Sequence, residues 1–264
     1  MSQPIKITSR IRLRDFDPDF CGGMDKEPAR KETTRLCQRI GELQQLLYAN
    51  GSHALIILLQ GMDCAGKDGA GARVLEFVTP AGVQTTNFKA PSAEELAHDF
   101  LWRVHKAVPR YGHIGLFNRS HYEDVLIVRV LGLRPRNVWE ARYDQINRFE
   151  KFLAENNVSL LKFFLHISKE EQAERLRERL SNPTKHWKFN AADLALRKRW
   201  DDFQAAYEDA INECSTRCAP WHLVPSNRKW YRDYIVAKAV VEGLEDLKMQ
   251  WPKAKDDLSK VKIQ

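Results

Sequence analysis

Gly61-Met62-Asp63-Cys64-Ala65-Gly66-Lys67-Asp68-Gly69 follows an apolar run, His53 to Leu59, and precedes a helix-like run, Ala70 to Val78. Strand, glycine loop, lysine and helix in that order build a phosphate cradle. Backbone N–H groups of the loop and of the helix start point at an anion, and the lysine adds a full positive charge. Gly61 and Gly66 with Lys67 fit the G-x-x-x-x-G-K spacing of a P-loop, so Gly61, Ala65, Gly66, Asp68 and Gly69 are candidate phosphate-binding positions. The alternative, a chance glycine turn beside a solvated lysine, does not account for the strand and helix on either side. One position departs from the pattern: Asp68 stands where such loops carry a Ser or Thr whose hydroxyl binds Mg2+. Asp63, inside the loop, is the candidate carboxylate to recruit Mg2+, a cation that prefers oxygen ligands and keeps several waters.

The 264 residues are 43% hydrophobic and 29% charged, enough for a sizeable core and too polar for a membrane protein. No apolar run reaches the roughly 18 residues needed to span a bilayer. Residues 1–14 are polar and basic without an apolar stretch, so a secretory signal is not expected there. The five cysteines (21, 37, 64, 214, 218) are scattered, and Cys214 with Cys218 lacks the second pair of a zinc site. Reduced thiols in a cytoplasmic protein are expected. The net charge of +7 is concentrated. Arg175, Arg177, Arg179, Lys185, Lys188, Arg197, Lys198 and Arg199 face only Glu178 and Asp193 in that segment. Such a block suggests a polyanion, whether polyphosphate, nucleotide or nucleic acid.

Apolar runs alternate with helical patterns along the chain. Strands are expected at 53–60, 83–88, 113–117, 160–167 and 220–224. Helices are expected at 28–49, 67–78, 92–107, 120–131, 136–155, 168–180, 191–213 and 229–247. Strands separated by helices imply an α/β fold with a doubly wound parallel five-stranded sheet flanked by helices. Residues 1–264 read as one domain, with an irregular charged arm at 1–27 and a tail at 249–264. The apolar positions of 28–49 suit packing on the sheet or on another subunit.

Ligands of such sheets bind beyond the carboxyl ends of the strands. The third expected strand ends in Asn118-Arg119-Ser120-His121-Tyr122-Glu123-Asp124. Arg119 is placed to clamp a phosphate, because guanidinium matches phosphate oxygens in pairs. Asn118 occupies a slot where such enzymes often hold a metal-binding carboxylate. Glu123 and Asp124 either reach an acceptor pocket or are first-turn helix acids favoured by the dipole. Arg103 and Arg129 either reach phosphate or pair with nearby acids. His98, His105, His121 and His186 lack metal-ligand spacing and suit packing or hydrogen bonding. Trp102, Trp187 and Trp230 suit core or interface anchors better than base stacking.

With these residues assembled, the chain resembles the polyphosphate kinase 2 family, itself similar to the thymidylate-kinase branch of P-loop kinases. The resemblance lies in Gly61–Gly69, Phe88-Lys89-Ala90-Pro91-Ser92-Ala93-Glu94-Glu95-Leu96, His98-Asp99-Phe100-Leu101-Trp102-Arg103, Phe117–Val125, Lys185-His186-Trp187-Lys188-Phe189 and Arg228-Lys229-Trp230-Tyr231. It covers about residues 30–245, and Asp68 is expected in this family. The resemblance implies reversible transfer of a terminal phosphoryl group from inorganic polyphosphate to AMP or ADP, with Mg2+, or Mn2+ in its place. It further implies Asp63, Lys67 and Arg119 as catalytic residues, and a basic helical lid at about 179–200 contributing Arg179, Lys185 and Lys188 to phosphate binding. Lys89, Arg103, Asn118, Glu123 and Arg129 are then the nucleotide-binding candidates, and Asp63 and Asn118 the metal-binding ones. Many members carry Asp at the position of Asn118 and Trp-Tyr-Asn in place of His121-Tyr122-Glu123. The pattern here resembles the subgroup that accepts both AMP and ADP. A homodimer or homotetramer is implied, with no nucleic-acid or membrane partner. Two other functions fit parts of the sequence: an ATP-dependent nucleotide or nucleoside kinase, and a non-enzymatic polyanion binder that leaves the P-loop without a purpose.

Overall fold

Ala54–Gln60 is buried at every position, which is the signature of a strand covered on both faces rather than on one. A computed structural model describes residues 5–254 and places this run at the centre of a sheet. The strands are β1 (Ile5–Lys6), β2 (Ala54–Gln60), β3 (Val83–Asn87), β4 (Ile114–Asn118), β5 (Val158–His166) and β6 (Trp221–Pro225), in the order β1-β6-β5-β2-β4-β3. From β6 to β3 all pairings are parallel. Leu59 pairs with Asn118 of β4 on one side and with Phe163 of β5 on the other. The chain therefore leaves β2 toward one half of the sheet and crosses to the other half after β4. That reversal opens a crevice beyond the carboxyl ends of β2, β4 and β5.

The helices are α1 (Lys26–Asn50), α2 (Lys67–Val74), α3 (Ala93–Leu96), α4 (Trp102–Ala107), α5 (Ile127–Val130), α6 (Arg136–Glu155), α7 (Lys169–Ser181), α8 (Ala191–Arg197), α9 (Trp200–Cys214) and α10 (Lys229–Glu245). Successive residues of β5 show how they divide between the faces. Leu161 lies against Gly243 of α10, whereas Lys162 reaches Glu150 of α6 and the carbonyl of Cys214 at the end of α9. Lys162 and Glu150 are wholly buried, 2.6 Å apart, and Tyr122 and His121 bond to the same carboxylate. Burying this pair costs desolvation, so its stability depends on every partner being present.

The five parallel strands match the expectation from sequence; β1 does not. Two residues carry no periodic signal, and β1 forms because β6 offers an open antiparallel edge. The arm expected to be irregular thus has a strand and a 3-10 turn at Leu13–Asp15, and it runs along α9 with Ile11 and Leu13 N–H donating to Asn212 and Glu208. Residues 1–4, and residues 255–264 of the expected tail, lie outside the described residues. Three expected helices are broken. The 92–107 helix splits where the Asp99 carboxylate accepts from Leu101 N–H. The 120–131 helix starts as a 3-10 turn, His121–Asp124, capped by Ser120, before α5. The 191–213 helix breaks at Arg199, which leaves helical geometry between α8 and α9. The 67–78 helix stops at Val74. The expected 28–49 helix is α1, packed chiefly along α10 rather than on the strands. Pro183 opens a 3-10 turn, Pro183–Lys188, after α7. No helix among the described residues is long and apolar enough to cross a membrane. All five cysteines are free thiols, with Cys214 buried and Cys218 exposed.

Candidate active site

Past β2 the backbone turns through Gly61 at φ 150° and Gly66 at φ 100° before α2 begins at Lys67. A Cβ on Gly61 would stand 2.7 Å from the Leu165 carbonyl, and one on Gly66 would stand 1.8 Å from the buried Arg232 guanidinium. Glycine is required at both by conformation and by space. Lys67 Nζ folds back on the loop, donating to the carbonyls of Gly61 at 2.7 Å and Met62 at 3.1 Å. Burial and the neighbouring Arg119 push its ammonium pKa down, against the pull of Asp63, Glu123 and Asp68.

Arg175 holds the back of the loop. Its Nη1 donates to the carbonyls of Cys64 at 2.8 Å and Ala65 at 3.2 Å, and its Nη2 donates to those of Ser226 at 2.6 Å and Asn227 at 2.8 Å. Its Nε is taken by Glu171. A carbonyl held on one side aims the next peptide N–H to the other, so the Ala65 carbonyl's bond turns Gly66 N–H toward the crevice. Arg175 is therefore part of the cradle's support, although its charge was counted above toward a polyanion.

On the opposite wall, β4 ends at Asn118, and Arg119 adopts φ 61°, a left-handed geometry that costs a non-glycine residue about 1–3 kcal/mol and persists only where the surroundings impose it. Those surroundings are visible. Arg119 N–H donates to the Leu59 carbonyl, and Nη2 donates to Asp63 Oδ1 at 2.7 Å. Its Nη1 lies 3.5 Å from Glu123 Oε2. Burial alone would lower the Arg119 pKa, but Glu123 and Asp63 outweigh it and the net shift is upward. Asn118 Nδ2 donates to Asp68 Oδ1 at 2.5 Å.

Two cavities meet at Arg119. One, of about 300 Å³, runs along the P-loop and is lined by Asp63, Gly66, Lys67, Asp68, Gly69 and Asn118, together with Arg179, Lys185, Lys188 and Lys229. Cationic side chains dominate its wall. The other, of about 720 Å³, is lined largely by Phe88, Phe100, Ile127, Leu131 and Leu133, with Lys89, Arg103, Glu123 and Asp124 converging on it. Arg119 lines both. In the larger cavity Arg103 donates to the Lys89 carbonyl and lies 3.6 Å from Asp124, which Arg142 also holds. Burial raises the Asp124 pKa against the opposing pull of Arg142 and Arg103.

Most of the residues expected from sequence are thus brought together, and three are placed otherwise. Ala65 spends its N–H on the Met62 carbonyl and its carbonyl on Arg175, leaving no backbone group for phosphate. Asn118, expected among the nucleotide-binding residues, lines the cationic cavity and not the apolar one that Lys89, Arg103 and Glu123 share. Arg129 reaches neither cavity: it pairs with Asp209 at 2.7 Å and lies over the Trp139 ring, so pairing with an acid is the alternative realised. Arg103 and Glu123 do both things, facing the cavity while paired. Trp187 is 79% exposed and anchors no core, because it sits in the turn that Pro183 opens. Arg142, Arg175 and Lys229 were not among the site residues expected from sequence, although Arg175 was counted in the basic block and Lys229 lies in one of the motifs quoted. Lys229 was within reach, since it begins the helix just past β6 and the rule that pointed to Asn118 and Arg119 applies equally there.

A cation would find only part of a coordination sphere in the protein. Among the described residues no group of three or more His, Cys, Asp or Glu side chains is arranged to hold a metal ion. Asp63 and Asn118 supply hard oxygen donors at the edge of the cationic cavity, with Asp63 21% exposed. That donor set fits a magnesium-type ion, which takes one or two carboxylates and completes its shell with phosphate oxygens and water.

The parallel sheet, the glycine loop opening α2 and the paired cavities define a P-loop phosphotransferase. The pattern of the family described as Polyphosphate kinase 2 (PPK2) matches residues 23–252. The chain is 49% identical over 264 residues to an AMP/ADP-polyphosphate phosphotransferase of Meiothermus ruber, covering 98% of each. It is 44% identical to an ADP-polyphosphate phosphotransferase of Rhodopseudomonas palustris, over 81% of this chain and 78% of that one. It is similar in structure to the crystal structure of Polyphosphate Kinase 2 from Arthrobacter aurescens TC1, with a TM-score of 0.94, 43% identity and coverage of 97% and 92%. The chain belongs to the polyphosphate kinase 2 family and is a kinase.

Proposed function

We propose that this enzyme transfers the terminal phosphoryl group of inorganic polyphosphate to AMP and to ADP, giving ADP and ATP, and runs in reverse. The observation that carries the reading is the position of Arg119 at the meeting of a narrow cationic channel and a wider apolar pocket. A polyanionic donor suits the first, and a nucleotide with an apolar base suits the second. The relatives' names support the same substrates.

An acceptor phosphate oxygen, already ionised, attacks the terminal phosphorus of the donor; the P–O bond to the rest of the chain breaks, and the shortened chain leaves as an anion. No proton moves, so no general base is needed. Positioning and charge neutralisation supply the catalysis of such a loose transfer. Lys67 leaves the loop carbonyls to meet the transferred group, and Arg119 spans donor and acceptor oxygens. Asp63 and Asn118 would hold Mg2+, or Mn2+, whose charge would offset that of the phosphates. Arg179, Lys185 and Lys188 track the donor as a lid over residues 179–200 of a single kinase domain and exclude water on closing. Lys89, Arg103 and Glu123 face the acceptor. A cytoplasmic homodimer or homotetramer accompanies this reading, and light scattering in solution decides the oligomer.

Nucleotide analysis after incubation with Mg2+, polyphosphate and either AMP or ADP, without added ATP, tests the proposal. ADP from AMP and ATP from ADP are expected. Transfer only when ATP is supplied would move the enzyme to the ATP-dependent kinases.

A further inference from the structure

Cys64 adopts φ 66°, and like Arg119 it holds a left-handed geometry that persists only where the surroundings impose it. The peptides on either side of it are both held from α7. Gln172 Nε2 donates to the Asp63 carbonyl at 2.9 Å, and Arg175 Nη1 donates to the Cys64 carbonyl at 2.8 Å. Three positions apart on one helix, the two side chains share a face. The Asp63–Cys64 peptide is planar, so fixing its carbonyl fixes the Cys64 N–H as well.

The other end of the Gln172 amide belongs to the segment proposed as the lid. Arg197 Nη1, on α8, donates to Gln172 Oε1 at 2.7 Å and to the Lys169 carbonyl at 2.7 Å. An arginine can only donate and a carbonyl can only accept, so a single orientation of the amide serves both, with Nε2 toward Asp63. Gln172 is 2% exposed, and without Arg197 its buried Oε1 loses its donor. A turned amide would then set Oε1 against the Asp63 carbonyl. Arg197 was counted above in the basic block, yet it lines the small space beside Asp63 and Tyr207 rather than the cationic cavity.

We propose that Arg197 and Gln172 are positioning residues of the phosphate loop. The lid segment orients the Gln172 amide, and the amide holds Asp63 and the strained Cys64 in the geometry that transfer requires. The inference rests on the loop Gly61–Lys67 as the seat of the transferred phosphate, whichever donor supplies it.

Gln172→Met keeps the length of the side chain and removes both ends of the amide, while Arg197 retains the Lys169 carbonyl. Arg197→Ala cuts the same relay from the other side. Steady-state kinetics and peptide-resolved thiol labelling by a maleimide are measured on each variant and on the two combined. Each variant should lower kcat about 10-fold or more, toward the cost of misplacing a reacting group by about 1 Å, and leave KM for ADP unchanged. The double variant should fall little further than either single one. Cys64, 6% exposed in the wild type, should label about 2- to 10-fold faster, the scale of losing one hydrogen bond. Cys37 and Cys214, buried elsewhere, should keep their rates. Cys64 labelling at the wild-type rate, faster labelling of all three buried thiols, or additive losses in kcat overturn the relay. A raised donor KM at unchanged kcat in Arg197→Ala also overturns it and returns Arg197 to the basic block. Lys67→Ala, measured alongside, isolates the underlying reading: near-normal turnover there removes the loop from the chemistry, and with it the relay's role in kcat.

Discussion

Arg119 Nη2 donates to Asp63 Oδ1 at 2.7 Å, so the residue just past β4 and a residue of the loop past β2 hold each other across the crevice. The contact closes the gap between two strands' ends with a charge-assisted bond and leaves the guanidinium facing both cavities.

Among the described residues Arg119 alone lines both the cationic and the apolar cavity, so in the proposed function it touches donor and acceptor alike. Arg119→Ala should lower kcat/KM by about 100-fold or more, the scale of losing one preorganised electrostatic donor. Arg119→Lys should recover only part of this, since a point charge cannot bridge two oxygens in a plane. Steady-state kinetics with each substrate varied decide the matter; an alanine variant within threefold of wild type removes Arg119 from the mechanism.

Lys67→Ala should cost about 3–4 kcal/mol in the transition state, with little change in thermal stability because the lysine's contacts are two loop carbonyls. Single-turnover rates at saturating donor and acceptor provide the test, and near-normal turnover would sink the proposed site.

Arg175→Lys keeps the charge but cannot reach four carbonyls at once. Losing those bonds should cost about 2–4 kcal/mol, since carbonyls left unpaired in a buried setting forfeit their solvation. Calorimetry should show a lower Tm, and KM for the donor should rise as the loop loses its support. An unchanged Tm together with an unchanged donor KM would show that the loop holds its shape without Arg175.

Lys162→Met leaves the Glu150 carboxylate buried without its cation, a loss expected at about 3–5 kcal/mol. Adding Glu150→Leu should return part of that loss, because the uncompensated charge goes with it. Urea unfolding of both variants measures the difference, and a double variant no better than the single one would argue against an ionic origin.

Burial lowers the His222 pKa from 6.5 to about 4, against a hydrogen bond to the Lys162 carbonyl. The unfolded chain then binds more protons than the folded one between these values, so stability present above pH 6.5 is lost as pH falls toward 4. The loss should be about 3 kcal/mol from this residue. Burial lowers the His166 pKa in the same sense. Denaturant midpoints across that window should fall with acid in the wild type and fall less in His222→Gln; parallel curves would assign the acid sensitivity elsewhere.

The loop Gly61–Lys67, the run Ala54–Gln60 and the segment Asn118–Glu123 were legible because their meaning is local. A glycine at a left-handed turn, an unbroken apolar strand and a cation at a strand end each follow from a few consecutive residues, and together they determined the parallel sheet and most of the phosphate cradle. Side-chain destinations are not local. Arg119, Arg129 and Arg175 carry the same chemistry in the sequence, yet one spans two cavities, one pairs with Asp209 and one props the loop. The broken helices and β1 likewise depended on an Asp99 turn, a Ser120 cap and an open strand edge. A guanidinium goes to whichever carboxylates and carbonyls the fold brings within about 3 Å, the range of a hydrogen bond. Spacing along the chain determined the glycine loop proposed to receive phosphate, and only the tertiary structure decided which charges line the cavity beside it.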